Sequence, residues 1–200
     1  MSDPPSRRPG VDLVDAGGGS SREEDAVDAT ELLTDAIERI RHGVHEVVAD
    51  LDPEQLSARV APDANPIGWL LWHLTRVQDA HVAEFLDAAQ PYLDGGWAAE
   101  LGLDPDPSDS GYGHSAAQVA RVRIERPQRL IAYHDAVAAR SLELLSGLSD
   151  HDLDRIVDES WDPPVTAGVR WVSIVEDSIA HLGQASYARG ILEAQSAGAG

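Results

Sequence analysis

The chain contains no cysteine among its 200 residues. A sequence without cysteine forms neither a disulfide nor a thiolate metal site, and it has no cysteine nucleophile. Any metal ion must therefore be bound by histidine, aspartate or glutamate. Any thiol chemistry must use a thiol supplied by another molecule.

Lysine is also absent, so all 15 basic residues are arginine, against 35 acidic residues. The formal net charge of −20 argues against nucleic acid as a partner, because phosphates would be repelled. An anionic membrane is disfavoured for the same reason, and the sequence has no apolar run of transmembrane length. The N-terminus lacks the apolar segment of a signal peptide, so we expect a cytoplasmic protein.

Apolar residues at helical spacing predict an all-α protein, a four-helix bundle. The predicted helices cover approximately residues 30–50, 65–89, 115–145 and 171–194. Pro127 predicts a kink or break in the third helix. The long connection between the second and third helices, residues 91–114, favours a binding or covering role. A short strand pair is indicated around residues 155–169.

The two ends of the chain have a different composition from the predicted helices. Residues 1–27 are rich in proline, glycine, serine and charge, which is typical of a disordered tail. The bundle is predicted for residues 28–194, and small residues predict a flexible C-terminus at 195–200.

The segment DSIAHLGQ, residues 177–184, contains an aspartate and a histidine four residues apart. On an α-helix this spacing puts the side chains of Asp177 and His181 on one face, where they can share a cation. His73 is the best candidate for a third ligand, because it lies in an otherwise apolar helix that would face the bundle interior.

Two histidines and one carboxylate suit zinc, nickel, manganese or ferrous iron, and spacing alone does not choose among them. The competing interpretation needs no metal. In it His73 is a core histidine, and Asp177 and His181 form an ordinary surface pair at i,i+4.

Two segments, IGWLLWHLTRVQDAH and EDSIAHLGQASYARG, resemble the DinB superfamily of metal-binding four-helix bundles. In that superfamily a histidine on the second helix joins an H-x-x-x-H pair on the last helix, which matches His73 and His181. Asp177 stands where the first histidine of the pair is expected. This departure resembles the N-terminal domains of mycothiol-dependent maleylpyruvate isomerases, whose zinc ligands are His, Glu and His, with Asp177 where the Glu stands.

The resemblance implies a divalent metal, zinc first, bound by His73, Asp177 and His181. It also implies a thiol transferase or isomerase, in which a metal-bound thiolate of mycothiol or a similar small thiol attacks an electrophilic substrate. A homodimer is a further implication. Because aspartate is one methylene shorter than glutamate, the metal must sit closer to the helix or be bridged by water.

Two other functions are compatible with the same ligands. A metal-dependent hydrolase would use metal-bound water together with a general base, for which His81 and His114 are candidates. A non-catalytic bundle would bind only a metal or a small ligand.

Four further residues are candidates for contact with a substrate. Trp69, one turn before His73, and Gln184, three residues after His181, are candidates for substrate binding, and Gln184 is also placed to hydrogen-bond a ligand. Plain packing is the alternative for both. Arg76 and Arg189 are candidates to meet an anionic group, with ordinary ion pairs as the alternative in so acidic a chain.

Overall fold

The computed structural model describes residues 27–198, and the all-α prediction is confirmed over that range. The helices are α1 (Ala29–Val48), α2 (Pro53–Ser57), α3 (Ile67–Leu86), α4 (Pro91–Asp94), α5 (Trp97–Leu101), α6 (Ala116–Val119), α7 (Pro127–Ser146) and α8 (Ala167–Gly198). A 3₁₀ turn (Asp150–Asp154) and an antiparallel strand pair, β1 (Ile156–Asp158) and β2 (Val165–Thr166), precede α8.

The predicted ends of the chain lie partly outside this range. The tail predicted for residues 1–27 falls on residues that are not described, apart from Val27, and so do residues 199–200. Residues 195–198 continue α8 as helix. Within the described range, none of the helices combines the length and apolar character needed to span a bilayer.

The four longest helices of the described range pack against one another and bury two apolar clusters. Helices α1 and α3 each pack against both α7 and α8. The region predicted as a third helix contains α6 and α7 with a break between them, as Pro127 predicts. Pro127 occupies the first turn of α7, where its missing N–H leaves no intrahelical hydrogen bond unmade.

The connection between α3 and α7 is packed onto the bundle. Tyr92, Ala98 and Leu101, on α4 and α5, are buried and belong to the same apolar cluster as Trp72 and Tyr133. The covering role predicted for residues 91–114 therefore agrees with their packing over α3 and α7.

Arg76 on α3 is fully buried and fastens this connection to the bundle. Its guanidinium donates to the backbone carbonyls of Asp109 at 3.1 Å, Pro107 at 3.1 Å and Asp106 at 3.3 Å. It also donates to Gln90 Oε1 at 2.9 Å. These contacts occupy the donors that the sequence suggested for an anionic substrate.

Arg189 on α8 is likewise engaged within the fold. Its Nη1 donates to the carbonyls of Glu46 and Val47 at the end of α1, and its Nε donates to Glu193 at 2.7 Å. Contacts within the protein therefore account for both Arg76 and Arg189, without an anionic substrate.

His134 on α7 is 1% exposed, and its environment keeps the imidazole neutral. The Thr75 hydroxyl donates to the Leu71 carbonyl at 2.7 Å, so His134 Nδ1–H donates to Thr75 Oγ1 at 3.0 Å. His134 Nε2 has no hydrogen-bond partner among the described residues. Burial lowers the pKa of His134 to about 4.

The buried His134 should make stability depend on pH. An unfolded histidine has a pKa of about 6.5, so the unfolded chain takes up a proton first as the pH falls. The free energy of unfolding should decrease between about pH 6.5 and 4 and level off below, by up to roughly 3 kcal/mol. Denaturant unfolding of the parent, His134→Gln and the exposed-site control His151→Gln at pH 7 and pH 4.5 measures this change.

His134→Gln should lose about 1–3 kcal/mol less than the parent between the two pH values. His151→Gln should follow the parent. Equal pH dependence in all three proteins would show that His134 does not carry the effect.

Candidate metal centre

The three predicted ligands converge where α3 packs against α8. Asp177 Oδ1 lies 3.5 Å from His181 Nε2 and 3.9 Å from His73 Nε2. One ligand atom from each residue lies within 4.8 Å of the others. Two ligands of a tetrahedral zinc, with bonds near 2.1 Å, are roughly 3.4 Å apart, so the site needs little contraction to hold an ion. Although aspartate is one methylene shorter than glutamate, the carboxylate of Asp177 therefore lies close to both histidines.

His73 is 5% exposed, and its ring is oriented by the connection that Arg76 fastens. Nδ1–H donates to the Ser110 carbonyl in a short hydrogen bond. This contact leaves the Nε2 lone pair on the side of Asp177. Burial, the largest effect, lowers the pKa of His73, which favours the neutral form that binds metals.

His181 is oriented by its own helix. Its Nδ1–H donates to Gln184 Oε1, three residues further along α8, at 3.0 Å. The hydrogen bond to Asp177 is the largest influence on His181, and it raises the pKa of the imidazole. A metal ion would replace the proton that Asp177 favours on Nε2, since ligating histidines must be neutral.

The carboxylate of Asp177 is incompletely satisfied. Oδ2 is buried and has no hydrogen-bond partner within residues 27–198. A buried carboxylate oxygen without a donor is costly, and a divalent cation would remove that cost. The donor set and this unpartnered oxygen therefore fit a metal ion.

Trp69 forms one wall of the cluster. Its ring stacks on His73 with centroids 4.8 Å apart and planes at 14°, and it meets His181 edge-on at 6.4 Å. The indole ring covers one face of the His73 ring. Trp69 is thus beside the site, as its position one turn before His73 suggests, and its role toward a substrate stays a prediction.

His114 is close to the site, but both of its ring nitrogens are engaged. Trp69 Nε1–H donates to Nδ1 at 3.2 Å, so the proton of His114 is on Nε2, which donates to Asp109 Oδ1 at 2.8 Å. A general base needs a free lone pair, and this tautomer has none. The arrangement favours a structural role for His114.

His81 lies two turns along α3 from His73. Its Nδ1 is 3.2 Å from Arg170 Nη1 and 3.5 Å from Glu84 Oε2. Burial, followed by the charge of Arg170, lowers the pKa of His81. The residue is therefore part of a neighbouring group of side chains, away from the triad.

Gly111 and the Ser110 carbonyl are parts of the site that sequence reasoning missed. Gly111 has φ +91°, and a Cβ there would lie 2.9–3.1 Å from Trp72, Trp69 and His73. Only glycine permits this close approach of the backbone to the ring of His73. The two glycines of the segment GYGH, residues 111–114, are the sequence feature that could have indicated this close approach.

Comparison with known proteins identifies the family of the chain. A family model described as the DinB superfamily matches residues 36–185. A solved structure, described as the conserved protein of locus from Enterococcus faecalis, is 27% identical with a TM-score of 0.77. The match covers 83% of this chain and 98% of that one. No curated protein matches the sequence. Since the family model spans most of the chain and includes His73, Asp177 and His181, the chain belongs to the DinB superfamily.

Proposed function

We propose that the chain is a divalent-metal-dependent enzyme of low-molecular-weight thiol chemistry, a thiol S-transferase or isomerase that uses mycothiol or a similar thiol. The observation that carries the proposal is the convergence of His73, Asp177 Oδ1 and His181, together with the buried Oδ2 of the same carboxylate, which has no hydrogen-bond partner among the described residues. Zinc is the proposed ion, because two imidazoles and one carboxylate with an open fourth position are typical of catalytic zinc.

A metal bound by these residues would lower the pKa of a thiol at the open position, so that the thiol is a thiolate at neutral pH. The two neutral histidines and one carboxylate cancel only one of the two positive charges. Ser110 and Gln184 accept the Nδ1 protons and thereby keep both Nε2 atoms directed inward. Trp69 shields the ring of His73 from water on one face.

The surroundings favour a thiol over water as the nucleophile. The hydrolase that the sequence suggested pairs metal-bound water with His81 or His114 as a general base. The lone pair of His114 accepts from Trp69, and His81 is two turns away against Arg170. A thiol ionised by the metal attacks as a thiolate. The thiol reaction therefore needs the three metal ligands but neither His81 nor His114 as a base.

A homodimer and a cytoplasmic location belong to the same proposal. Val172, Ile179 and Tyr187 on α8 are more than half exposed, and exposed apolar side chains along one helix support pairing of two copies.

Each of the three ligands should be needed for metal binding. Purified parent protein, loaded with zinc and desalted, should retain about one zinc per chain, as a three-ligand site requires. His73→Ala, Asp177→Ala and His181→Ala should retain almost none by elemental analysis. Glu176→Ala removes the neighbouring carboxylate and should bind zinc like the parent. Zinc retention by the three variants, or its absence from the parent, would contradict the site.

Gly111→Ala should weaken zinc binding by about 10–100-fold, the usual effect of disturbing the partner of a ligating histidine. The added methyl group would push against His73 and move the Ser110 carbonyl. Gly113→Ala is a matched control, because Gly113 also has positive φ, +71°, but its Cβ would meet nothing within 4 Å. Competition titration with a zinc indicator measures both affinities. Equal weakening in the two variants would assign the effect to backbone strain.

Zinc-loaded protein should accelerate the substitution of chloride in 1-chloro-2,4-dinitrobenzene by a thiol. The thiol loses its proton to solvent, the sulfur forms a bond to the ring carbon and chloride leaves, and the absorbance of the thioether product is followed. His73→Ala should reduce the rate to the uncatalysed level, since the metal would be lost. Mycothiol and simpler thiols should be compared. Zinc-dependent ester hydrolysis without any thiol, and no thiol addition, would favour the hydrolase instead.

A further inference from the structure

The exposed residues of α8 between positions 169 and 190 form its outward face, which is poor in charge. Glu176 is the one charged residue among them. The exposed residues of α1 include five charged ones, Glu31, Asp35, Glu38, Arg39 and Glu46. Because the chain has a net charge of −20, two copies repel each other wherever acidic residues dominate. The outward face of α8 is therefore a surface where a second copy meets little repulsion.

The same face exposes as much apolar surface as a protein interface uses. Val169, Val172, Ile179 and Tyr187 are 53%, 62%, 55% and 75% exposed. At about 150 Å² for each fully exposed large side chain, these four residues present roughly 400 Å². That area is about half of the roughly 800 Å² that each partner of a stable interface contributes, and the other exposed residues of the face add to it. An apolar patch of this size marks an interaction surface.

Gly183 and Gly190 on this face are not explained by packing within residues 27–198. A Cβ added at either position would meet nothing within 4 Å. Gly43 differs, because its Cβ would lie 2.6 Å from Leu182, so the packing of α1 on α8 accounts for that glycine. Glycine weakens a helix interior relative to alanine. Close approach of the backbone of a second helix would account for Gly183 and Gly190.

The spacing of these residues favours an antiparallel pair of α8 helices. Positions 169, 176, 183 and 190 are seven residues apart, so they form one row along the outward face. With a twofold axis between positions 179 and 180, Val169 faces the partner's Gly190 and Glu176 faces the partner's Gly183. Each larger side chain in the row then meets a glycine.

Charge also selects the antiparallel orientation. In a parallel pair in register, Glu176 would face the partner's Glu176, which brings two like charges together. In the antiparallel pair the two Glu176 residues are seven residues apart along the axis, about 10 Å. That separation is about one Debye length at 0.1 M salt, so their repulsion is largely screened. The opposed helix dipoles also attract each other.

We propose that two copies of this chain pair through the outward face of α8, antiparallel, about a twofold axis between positions 179 and 180. The proposal rests on the homodimer of the proposed function, and it names the surface and the orientation of that dimer. His73, Asp177 and His181 belong to one chain, so each copy has its own triad. Pairing and metal binding can therefore be measured separately.

Sedimentation of metal-free protein in EDTA tests the surface. The parent should be a dimer at micromolar concentration. Val172→Glu should raise the dissociation constant of the dimer at least about 30-fold, because a twofold interface contains the change twice. Leu32→Glu on α1 is the matched control, since Leu32 is 63% exposed and Val172 is 62% exposed, and it should dimerise like the parent. Circular dichroism checks that both variants fold. A monomeric parent, or unchanged dimerisation of Val172→Glu, would overturn the proposal.

Cysteine cross-linking tests the orientation, and the cysteine-free parent makes each introduced thiol unique. Glu176→Cys and Gly183→Cys are mixed, allowed to exchange subunits and oxidised with diamide. The mixture should form a disulfide between one copy of each variant, because facing positions approach the roughly 4.4–6.8 Å Cα separation of a disulfide. Each variant alone should cross-link at least about tenfold more slowly, since its two cysteines are about 10 Å apart along the axis. Equally fast cross-linking of Glu176→Cys alone would indicate a parallel pair and overturn the antiparallel assignment.

The dimer and the enzyme are distinguished by the zinc content of the same proteins. Folded, monomeric Val172→Glu should retain zinc like the parent, because its three ligands are unchanged. A parent that is dimeric in EDTA but retains no zinc would contradict the proposed function and leave the α8 interface standing. A parent that retains zinc but stays monomeric would contradict the interface and leave the triad standing.

Discussion

Burial of the Arg76 guanidinium is the constraint on which the candidate metal centre depends. A fully buried charge is costly unless every donor finds an acceptor. Arg76 meets this requirement with the carbonyls of Asp106, Pro107 and Asp109, with Gln90, and with Asp79 at 3.4 Å. The next residue after this run is Ser110, whose carbonyl orients His73. Satisfying a buried charge thus also positions the backbone that sets the direction of a ligand.

The partner carboxylate shows why this ion pair positions the connection more than it stabilises the fold. Asp79 is buried, and burial raises the pKa of its carboxyl group despite the nearby arginine. Its Oδ2 accepts from the Tyr133 hydroxyl at 2.7 Å and the Tyr92 N–H at 2.9 Å. Desolvation of two charges offsets much of their attraction. The main effect of the pair is therefore on position. Asp79 joins α4, through Tyr92, and α7, through Tyr133, to α3.

The sequence predicts those parts of the site that depend on residues close together in the chain, and it does not predict the parts that depend on tertiary contacts. Asp177 and His181 share a helix face by spacing alone, and the apolar surroundings of His73 indicate burial. The break before α7 follows from Pro127. The Ser110 carbonyl could not be predicted, because any residue has one and its direction depends on tertiary contacts. The sequence makes Arg76 a candidate for contact with an anionic substrate, because it shows the charge of the residue but not its burial.

The two halves of the site differ in what must form before each is complete. Asp177, His181 and Gln184 lie within three turns of α8, so their mutual geometry exists as soon as that helix does. The His73 half requires α3, the Arg76 contacts and the connection to be docked together. A cation held by both halves binds only the docked state, and its binding free energy adds to the stability of that docking. The ion would thus act as a tertiary cross-link between the last helix and a distant loop, in a chain that has no cysteine to form a covalent one.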